Sequence, residues 1–250
     1  MDVVGDLLAR SRRSRDVALV TAEGSERTYH DLITNAYKAA NVLRHLGARE
    51  GSTIAVDPEP GVHTTLAFLG AARLGATVRF DPSAGIDAGD RVVVAPLDDE
   101  PALDPDPGTN LVVFGGSPAR PETTHWEAEL WSENPGTPPS GVGPDDPVIR
   151  TDLSDTIDTV THRSLLETAG DMAAEHGIDT DARVVFRTSF ADPEAVAAGI
   201  VAPLSRGGTV VLADRTATDG TPRGDVAVVA DADADAPEPR RVVVSMADRF

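Results

Sequence analysis

Residues 52–80 read STIAVDPEPGVHTTLAFLGAARLGATVRF. Ser52 to Val56 is a short β-branched, apolar run suited to a buried strand, and Pro58 to Gly61 breaks it as a loop. His63 to Leu74 is apolar enough for a buried helix that Gly75 closes, and Ala76 to Phe80 returns as a strand before Asp81-Pro82. Strand, helix and strand joined by short Gly and Pro hinges predict a βαβ unit, and hence a parallel sheet.

Working outward, Val3, Val4, Leu7 and Leu8 predict an amphipathic helix over Val3 to Arg10, and Val17 to Thr21 a strand. After a turn at Gly24, Thr28 is placed to cap a helix carrying the stripe Leu32, Ile33, Ala36, Ala39, Ala40, Leu43 and Leu46, which Gly47 ends. Arg91 to Ala95 and Asn110 to Phe114 are further strands expected in the same sheet. Proline, glycine and acidic residues mark 96–108 and 133–146 as loops. Beyond them Ser164 to His176 (helix), Arg183 to Arg187 (strand), Pro193 to Ala202 (helix) and Thr209 to Ala213 (strand) form a second alternating run. Asp214 to Arg223 is expected to be a loop, and Val226 to Ala230 and Val242 to Ser245 are the last expected strands. The fold class is therefore α/β with parallel-sheet βαβ layers, in subdomains of about 1–132 and 145–250 joined by a Pro/Gly-rich linker at 133–144.

The formal net charge is −19. Nucleic acid and anionic membranes require clustered cations, so neither is an expected partner. The basic residues are nearly all arginine, with Lys38 the only lysine, and aspartate recurs throughout. Such a surface resembles that of halophilic proteins. Its carboxylates repel one another in dilute buffer, and at molar salt the Debye length shrinks to about 3 Å and screens them. The melting temperature is therefore expected to rise between dilute and molar KCl; a flat profile would refute the halophilic reading. With no cysteine there is no disulfide, thiolate nucleophile or Cys-ligated metal. No apolar run reaches the length of a membrane span, and the start lacks a signal-type apolar segment, so a cytoplasmic location is expected.

Thr28-Tyr29-His30-Asp31-Leu32, Leu46-Gly47-Ala48-Arg49-Glu50-Gly51, Ala67-Phe68-Leu69-Gly70-Ala71 and Leu74-Gly75-Ala76-Thr77 with Asp81-Pro82 follow one another in a familiar order. Further on come Asp145-Asp146-Pro147, Thr161-His162-Arg163-Ser164-Leu165-Leu166 and Pro203-Leu204 through Gly208-Thr209-Val210-Val211-Leu212. Together these resemble the N-terminal region of the adenylate-forming (AMP-binding) superfamily, which includes acyl-CoA synthetases, peptide-synthetase adenylation domains and luciferases. The resemblance spans nearly the whole chain and corresponds to about the first half of a full-length synthetase. It implies the fold of that family's N-terminal subdomains.

The resemblance also implies a place for the phosphate-holding loop, between Asp146 and Leu166. In the family that loop is rich in Ser, Thr and Gly and ends in a lysine; glycines let the backbone N–H groups approach the phosphates of ATP. This chain reads TDLSDTID at 151–158, shorter than the family pattern. Thr151, Ser154 and Thr156 keep hydroxyls at the cofactor-binding position, while glycine and lysine are absent. Asp152, Asp155 and Asp158 would set carboxylates where a triphosphate lies. Two unit charges about 4 Å apart at an effective dielectric of 20 interact by roughly 4 kcal/mol, a factor of about a thousand in affinity. The family's aromatic-Gly-x-Thr-Glu motif, ribose-binding aspartate and adenylation lysine would all fall beyond Phe250.

Other constellations carry less. Asp231, Asp233 and Asp235 begin like a calcium loop, but Ala236 stands where glycine is needed and Val242 where a bidentate glutamate belongs. His30, His45, His63, His125, His162 and His176 contain no metal-type pair, and no metal site is expected; His162 reads as a helix start. Ser154, Ser164, Ser189 and Ser205 lack a nucleophile elbow. Phe114-Gly115-Gly116 reads as a turn, since no dinucleotide fingerprint completes it. Trp126, Leu130 and Trp131 are expected to pack over a sheet edge, with a pocket or an exposed contact patch as the alternative.

The expectation is thus a catalytically silent, acyl-CoA synthetase-like pseudoenzyme with a binding or regulatory role and no required cofactor, its partner a protein or a small acyl- or nucleotide-like ligand. The alternative is an ATP-dependent acyl-CoA ligase split over two chains, which would need ATP or AMP and CoA.

Overall fold

The computed structural model describes residues 1–138, 140–153, 156–213, 222–232, 234 and 236–244, with the side chains of 152–157 also outside the description. Ser154, Asp155, Asp233, Asp235, Ser245 and most of the loop expected from Asp214 to Arg223 lie outside the described residues.

In chain order the first strands are β1 (Val17–Val20), β2 (Glu26–Thr28), β3 (Thr53–Val56), β4 (Thr77–Phe80), β5 (Asp90–Pro96), β6 (Asn110–Phe114) and β7 (Thr124–His125). They are followed by β8 (Pro147–Leu153), β9 (Thr156–Thr161), β10 (Arg183–Phe186), β11 (Thr209–Leu212), β12 (Val226–Val229) and β13 (Arg240–Val243). The helices are α1 (Tyr29–His45), α2 (Val62–Leu74), α3 (Trp126–Ser132), α4 (His162–His176), α5 (Pro193–Val196) and α6 (Ala202–Arg206), the last two joined by a π turn, Ala197–Val201. The chain divides into two compact units: Met1–Ile33, Glu59–Val62 and His162–Phe250 form the first, Thr34–Pro58 and His63–Thr161 the second. In the chain's second half the division falls between Thr161 and His162, and residues 133–144 lie within the second unit.

In the second unit the strand order is β7-β6-β5-β3-β4-β8-β9, parallel except for the antiparallel β8–β9 pair. β3 sits inside the sheet and is apolar through Ile54, Ala55 and Val56, all fully buried, as a strand covered on both faces must be. α2 is apolar nearly all round and correspondingly buried. It lies so close to α1 that a Cβ on Gly70 would sit 2.8 Å from the backbone nitrogen of Ala40, so only glycine fits. Gly47 and Gly75 end the two helices at φ +96° and +80°, and the N–H of the next residue, Ala48 or Ala76, reaches the carbonyl of Leu43 or Ala71 at 3.0 Å. At the start of β5, the buried Asp90 accepts from Arg79 Nη2 (2.5 Å) and from the Asp87 N–H (2.9 Å).

In the first unit the order is β13-β12-β10-β11-β1-β2, parallel except for β2, which runs antiparallel to β1. Thr28 caps α1 reciprocally: its Oγ1 accepts from the Asp31 N–H (3.1 Å), and Asp31 Oδ2 accepts from the Thr28 N–H (3.2 Å). α4 buries Leu165, Ala169, Met172 and Ala173, a stripe at helical spacing. His162 starts that helix, fully buried, and its Nδ1 accepts from the Val4 N–H at 3.2 Å.

Several expectations are corrected. Val3 to Arg10 is not an α-helix but two 3₁₀ turns, Val4–Leu8 and Arg10–Arg12, because Asp6 Oδ2 takes the N–H groups of Asp2 and Val3 and folds the chain back early. The helix expected to stop at Ala202 continues to Arg206. Pro203 has no N–H for the Gly199 carbonyl four residues back, and the wider π turn occupies that position, allowing the helix to run on. The last strand starts earlier than expected, at Arg240, paired with Val226. Most consequentially, 151–158 is not a loop throughout, since β8 and β9 extend across much of it. The alternation Thr156, Asp158, Val160 against Ile157, Thr159, Thr161 is β-branched enough to form a strand.

Candidate functional site

The position implied for phosphate binding lies on the β8–β9 hairpin. Its register pairs Pro147 with Thr161, Arg150 with Thr159, Thr151 with Asp158 and Leu153 with Thr156. The ladder therefore leaves two residues, Ser154 and Asp155, between its last paired positions. Thr151 and Thr156 both lie on strands, with Thr156 described only in its backbone. Asp158, directly across from Thr151, is exposed, and its Oδ1 accepts from the N–H of Thr159 at 2.8 Å. A backbone committed to a cross-strand ladder, every residue of which bears a Cβ, has few N–H groups with which to cradle a polyphosphate.

A second constellation sits at the carboxyl ends of the same sheet's strands. The chain leaves β3 through α2 to β4 on one side and returns to β5 on the other, which makes β3/β5 the topological switch point, the usual place for a crevice in an open α/β sheet. Close by, His63 in the first turn of α2 stacks on Phe114 at the end of β6, with ring centroids 4.9 Å apart. Its Nε2 lies 3.5 Å from Glu127 Oε1, and His125 Nε2 lies 3.3 Å from Glu127 Oε2. The Gly115 N–H donates to Glu127 Oε1 at 2.6 Å, so the glycine turn after β6 positions this carboxylate. Burial pushes the pKa of His63 below its ordinary value, partly opposed by the Glu127 charge. One carboxylate thus lies beside two imidazoles 62 residues apart in sequence, a spacing with no sequence signature. Among the described residues no group of three His, Cys, Asp or Glu is placed to hold a metal ion.

In the first unit the corresponding switch lies between β10 and β12. Arg187, just past β10, makes a bidentate pair with Glu238, which precedes β13: Nε to Oε2 is 3.0 Å and Nη2 to Oε1 is 2.8 Å. Both side chains are buried. Tyr29 donates its hydroxyl to the Gly208 carbonyl at 2.7 Å, and burial pushes its pKa up to about 12. Ser164 lies in the first turn of α4, Ser189 Oγ accepts from the Ala191 N–H at 3.1 Å, and Ser205 Oγ donates to the Ala202 carbonyl, a helical turn behind it. Trp126 is fully buried as expected, whereas Trp131, placed over the same edge by sequence, is 89% exposed. The helix α3 is only two turns long and turns one indole inward and the other out.

Residues 8–80 match the model of the AMP-binding enzyme family. The fold is that of the N-terminal region of adenylate-forming enzymes. MatB from Rhodopseudomonas palustris superposes with a TM-score of 0.76 at 16% identity, over 91% of this chain and 49% of its own. The anthranilate CoA ligase AuaEII, solved in complex with anthranoyl-AMP, gives 0.77 at 17% identity, over 91% and 49%. A benzoate CoA ligase from Burkholderia xenovorans LB400 gives 0.73 at 21% identity, over 91% and 50%. The chain spans about half the length of these solved structures. No curated protein matches it. The AMP-binding-like resemblance thus covers the family's first strands and helices by sequence and most of the chain by fold.

Proposed function

We propose that this adenylate-forming-like chain is catalytically silent and serves as a binding or regulatory module. The observation that carries this reading is the β8–β9 ladder, which runs to the Leu153–Thr156 pair in a stretch devoid of glycine and lysine from Asp146 to Leu166. A polyphosphate there would meet side-chain-bearing backbone and an exposed Asp158 carboxylate in place of an N–H cradle and an ammonium. No bound nucleotide or CoA is required by this role, and the partner proposed is a protein or a small acyl- or nucleotide-like ligand. A cytoplasmic setting accords with it; among the described residues no helix is long and apolar enough to cross a membrane.

The purified chain, in the KCl concentration that maximises its folding, is expected to show no ATP–pyrophosphate exchange with aliphatic or aromatic carboxylates. Measurable turnover by the chain alone would overturn the silent reading. One observation favours a second reading, a ligase completed by another polypeptide: the matched structures extend to twice this chain's length. Exchange that is absent alone and restored by a chain carrying the remaining half would establish it.

A further inference from the structure

Residues 44–50 read Arg-His-Leu-Gly-Ala-Arg-Glu and carry the end of α1 toward β3. Gly47 lets the chain turn back, which brings Arg49 to the helix terminus: its Nη1 donates to the carbonyls of Arg44 and Ala48 at 2.5 and 2.6 Å. Among the described residues its Nε and Nη2 have no partner, and neither has the exposed Arg44 guanidinium. Glu50 is fixed in its turn. Its Oε2 accepts from the Gly141 N–H at 3.1 Å, and its Cγ packs so close to Gly75 that a Cβ there would sit 3.1 Å away. With Leu74 and Ser140 these residues line a cavity of about 590 Å³ within the second unit. It lies at the amino ends of β3 and β4, the opposite end of the strands from the switch point beside His63.

The lining carries two guanidiniums and one carboxylate, and among the described residues Glu50 forms an ion pair with neither arginine. The neighbouring charges are committed elsewhere. Asp146 accepts from the Gly143 N–H at 2.7 Å, Glu133 from the Asn134 N–H at 2.9 Å, and Arg73 donates to the Pro138 carbonyl at 3.4 Å. Asp145 is exposed but already engaged, and the exposed His45 follows Arg44 in the chain outside the lining. The cavity therefore offers one surplus positive charge in a chain whose net charge is −19. A phosphate monoester would answer the arginines and leave Glu50 facing a like charge, while a polyamine would do the reverse. Two carboxylates and one ammonium answer all three groups: a carboxylate on each guanidinium fork, the ammonium on Glu50 Oε1, and a short methylene chain over Leu74. The volume suits a molecule of that size. We infer that the Arg44–Arg49–Glu50 cavity is a binding site for an acidic amino acid of the aspartate and glutamate class. The site contains no residue of the β8–β9 hairpin and is independent of the silent-enzyme reading.

Isothermal titration of the full chain with L-glutamate, glutarate and L-glutamine, in the lowest KCl that keeps it folded, tests the site. L-Glutamate is expected to saturate one site. Glutarate, which lacks the ammonium, and L-glutamine, which lacks one carboxylate, are each expected to bind about tenfold more weakly. Glu50→Gln keeps an acceptor for the Gly141 N–H and removes the charge, so it is expected to bring L-glutamate down to the level of glutarate. A misfolded protein would lose both ligands and would not equalise them. Arg44→Gln, at an exposed position, is expected to weaken both L-glutamate and glutarate about tenfold, and Arg27→Gln, outside the cavity, neither. The proposal is overturned if L-glutamate does not bind, if glutarate or L-glutamine binds the parent as tightly, or if Glu50→Gln leaves the preference for L-glutamate intact. It is equally overturned if Arg27→Gln weakens binding as much as Arg44→Gln, which would make the effect one of overall charge.

Discussion

Gly199→Ala is expected to destabilise the first unit by about 3 kcal/mol, the upper range for forcing one methyl into a packed core. Gly199 lies in the π turn between α5 and α6, facing β10, and a Cβ built there would sit 2.1 Å from Cδ2 and 2.9 Å from Cε2 of Phe186. That ring has little room to retreat. It is fully buried, and it packs at a tilt of 59° against Phe190, with centroids 4.9 Å apart. Either the helix lifts off the sheet or the ring leaves its rotamer, and both disturb the strand at the centre of the unit. A compensating change follows from the same geometry: Phe186→Leu removes the ring atoms that the new methyl would strike. The double variant should therefore be more stable than the sum of the two single effects predicts, a coupling of contacting residues. Chemical denaturation of all four proteins at fixed KCl measures it. A Gly199→Ala protein within about 0.5 kcal/mol of the parent, the range of neutral surface changes, would show that the helix and sheet are not in the tight contact described.

The elements that were legible in the sequence are those whose pattern is decided locally. The 52–80 segment announced strand, helix and strand because its apolar runs are bounded by Pro58, Gly61 and Gly75, and the structure places them as β3, α2 and β4 in one parallel sheet. Thr28 and Gly47 bracketed α1 for the same reason, a cap and a left-handed stop. Where the sequence misled, a long-range partner had decided the matter. β9 was hidden because Thr156 to Thr161 becomes a strand only against β8, and the phosphate-loop expectation drew the same residues toward a loop. The π turn comes just before Pro203 and brings Gly199 against the Phe186 ring, a long-range contact that the apolar periodicity of 193–206 does not signal. The His63, Glu127 and His125 grouping requires β6 and β7 to bring residues from separate stretches to one edge.

Glu238→Ala is expected to cost about 3–5 kcal/mol, because it leaves the Arg187 guanidinium buried without its counter-charge. The side chain of Glu238 is fully buried and that of Arg187 is 6% exposed, so water has little access to replace the lost carboxylate. Removing both charges is a different matter. Arg187→Met with Glu238→Leu avoids the desolvation of two ions and fills a similar volume, so the double variant should recover most of the stability lost by Glu238→Ala. The pair nonetheless has a geometric consequence that apolar substitutes lack. Arg187 follows β10 and its N–H donates to the Val228 carbonyl on β12 at 3.0 Å, while Glu238 leads into β13, so two directional hydrogen bonds tie the edge strand to the strand two places inward. Fixed register is what a directional pair supplies and a methyl contact does not. The apolar double variant should then fold stably while the amides of Val242 and Val243 exchange faster than those of Val184 and Val185. Unchanged exchange at β13 would remove the register role and leave the ion pair as a purely energetic feature. A Glu238→Ala protein as stable as the parent would mean that the two buried charges are not paired.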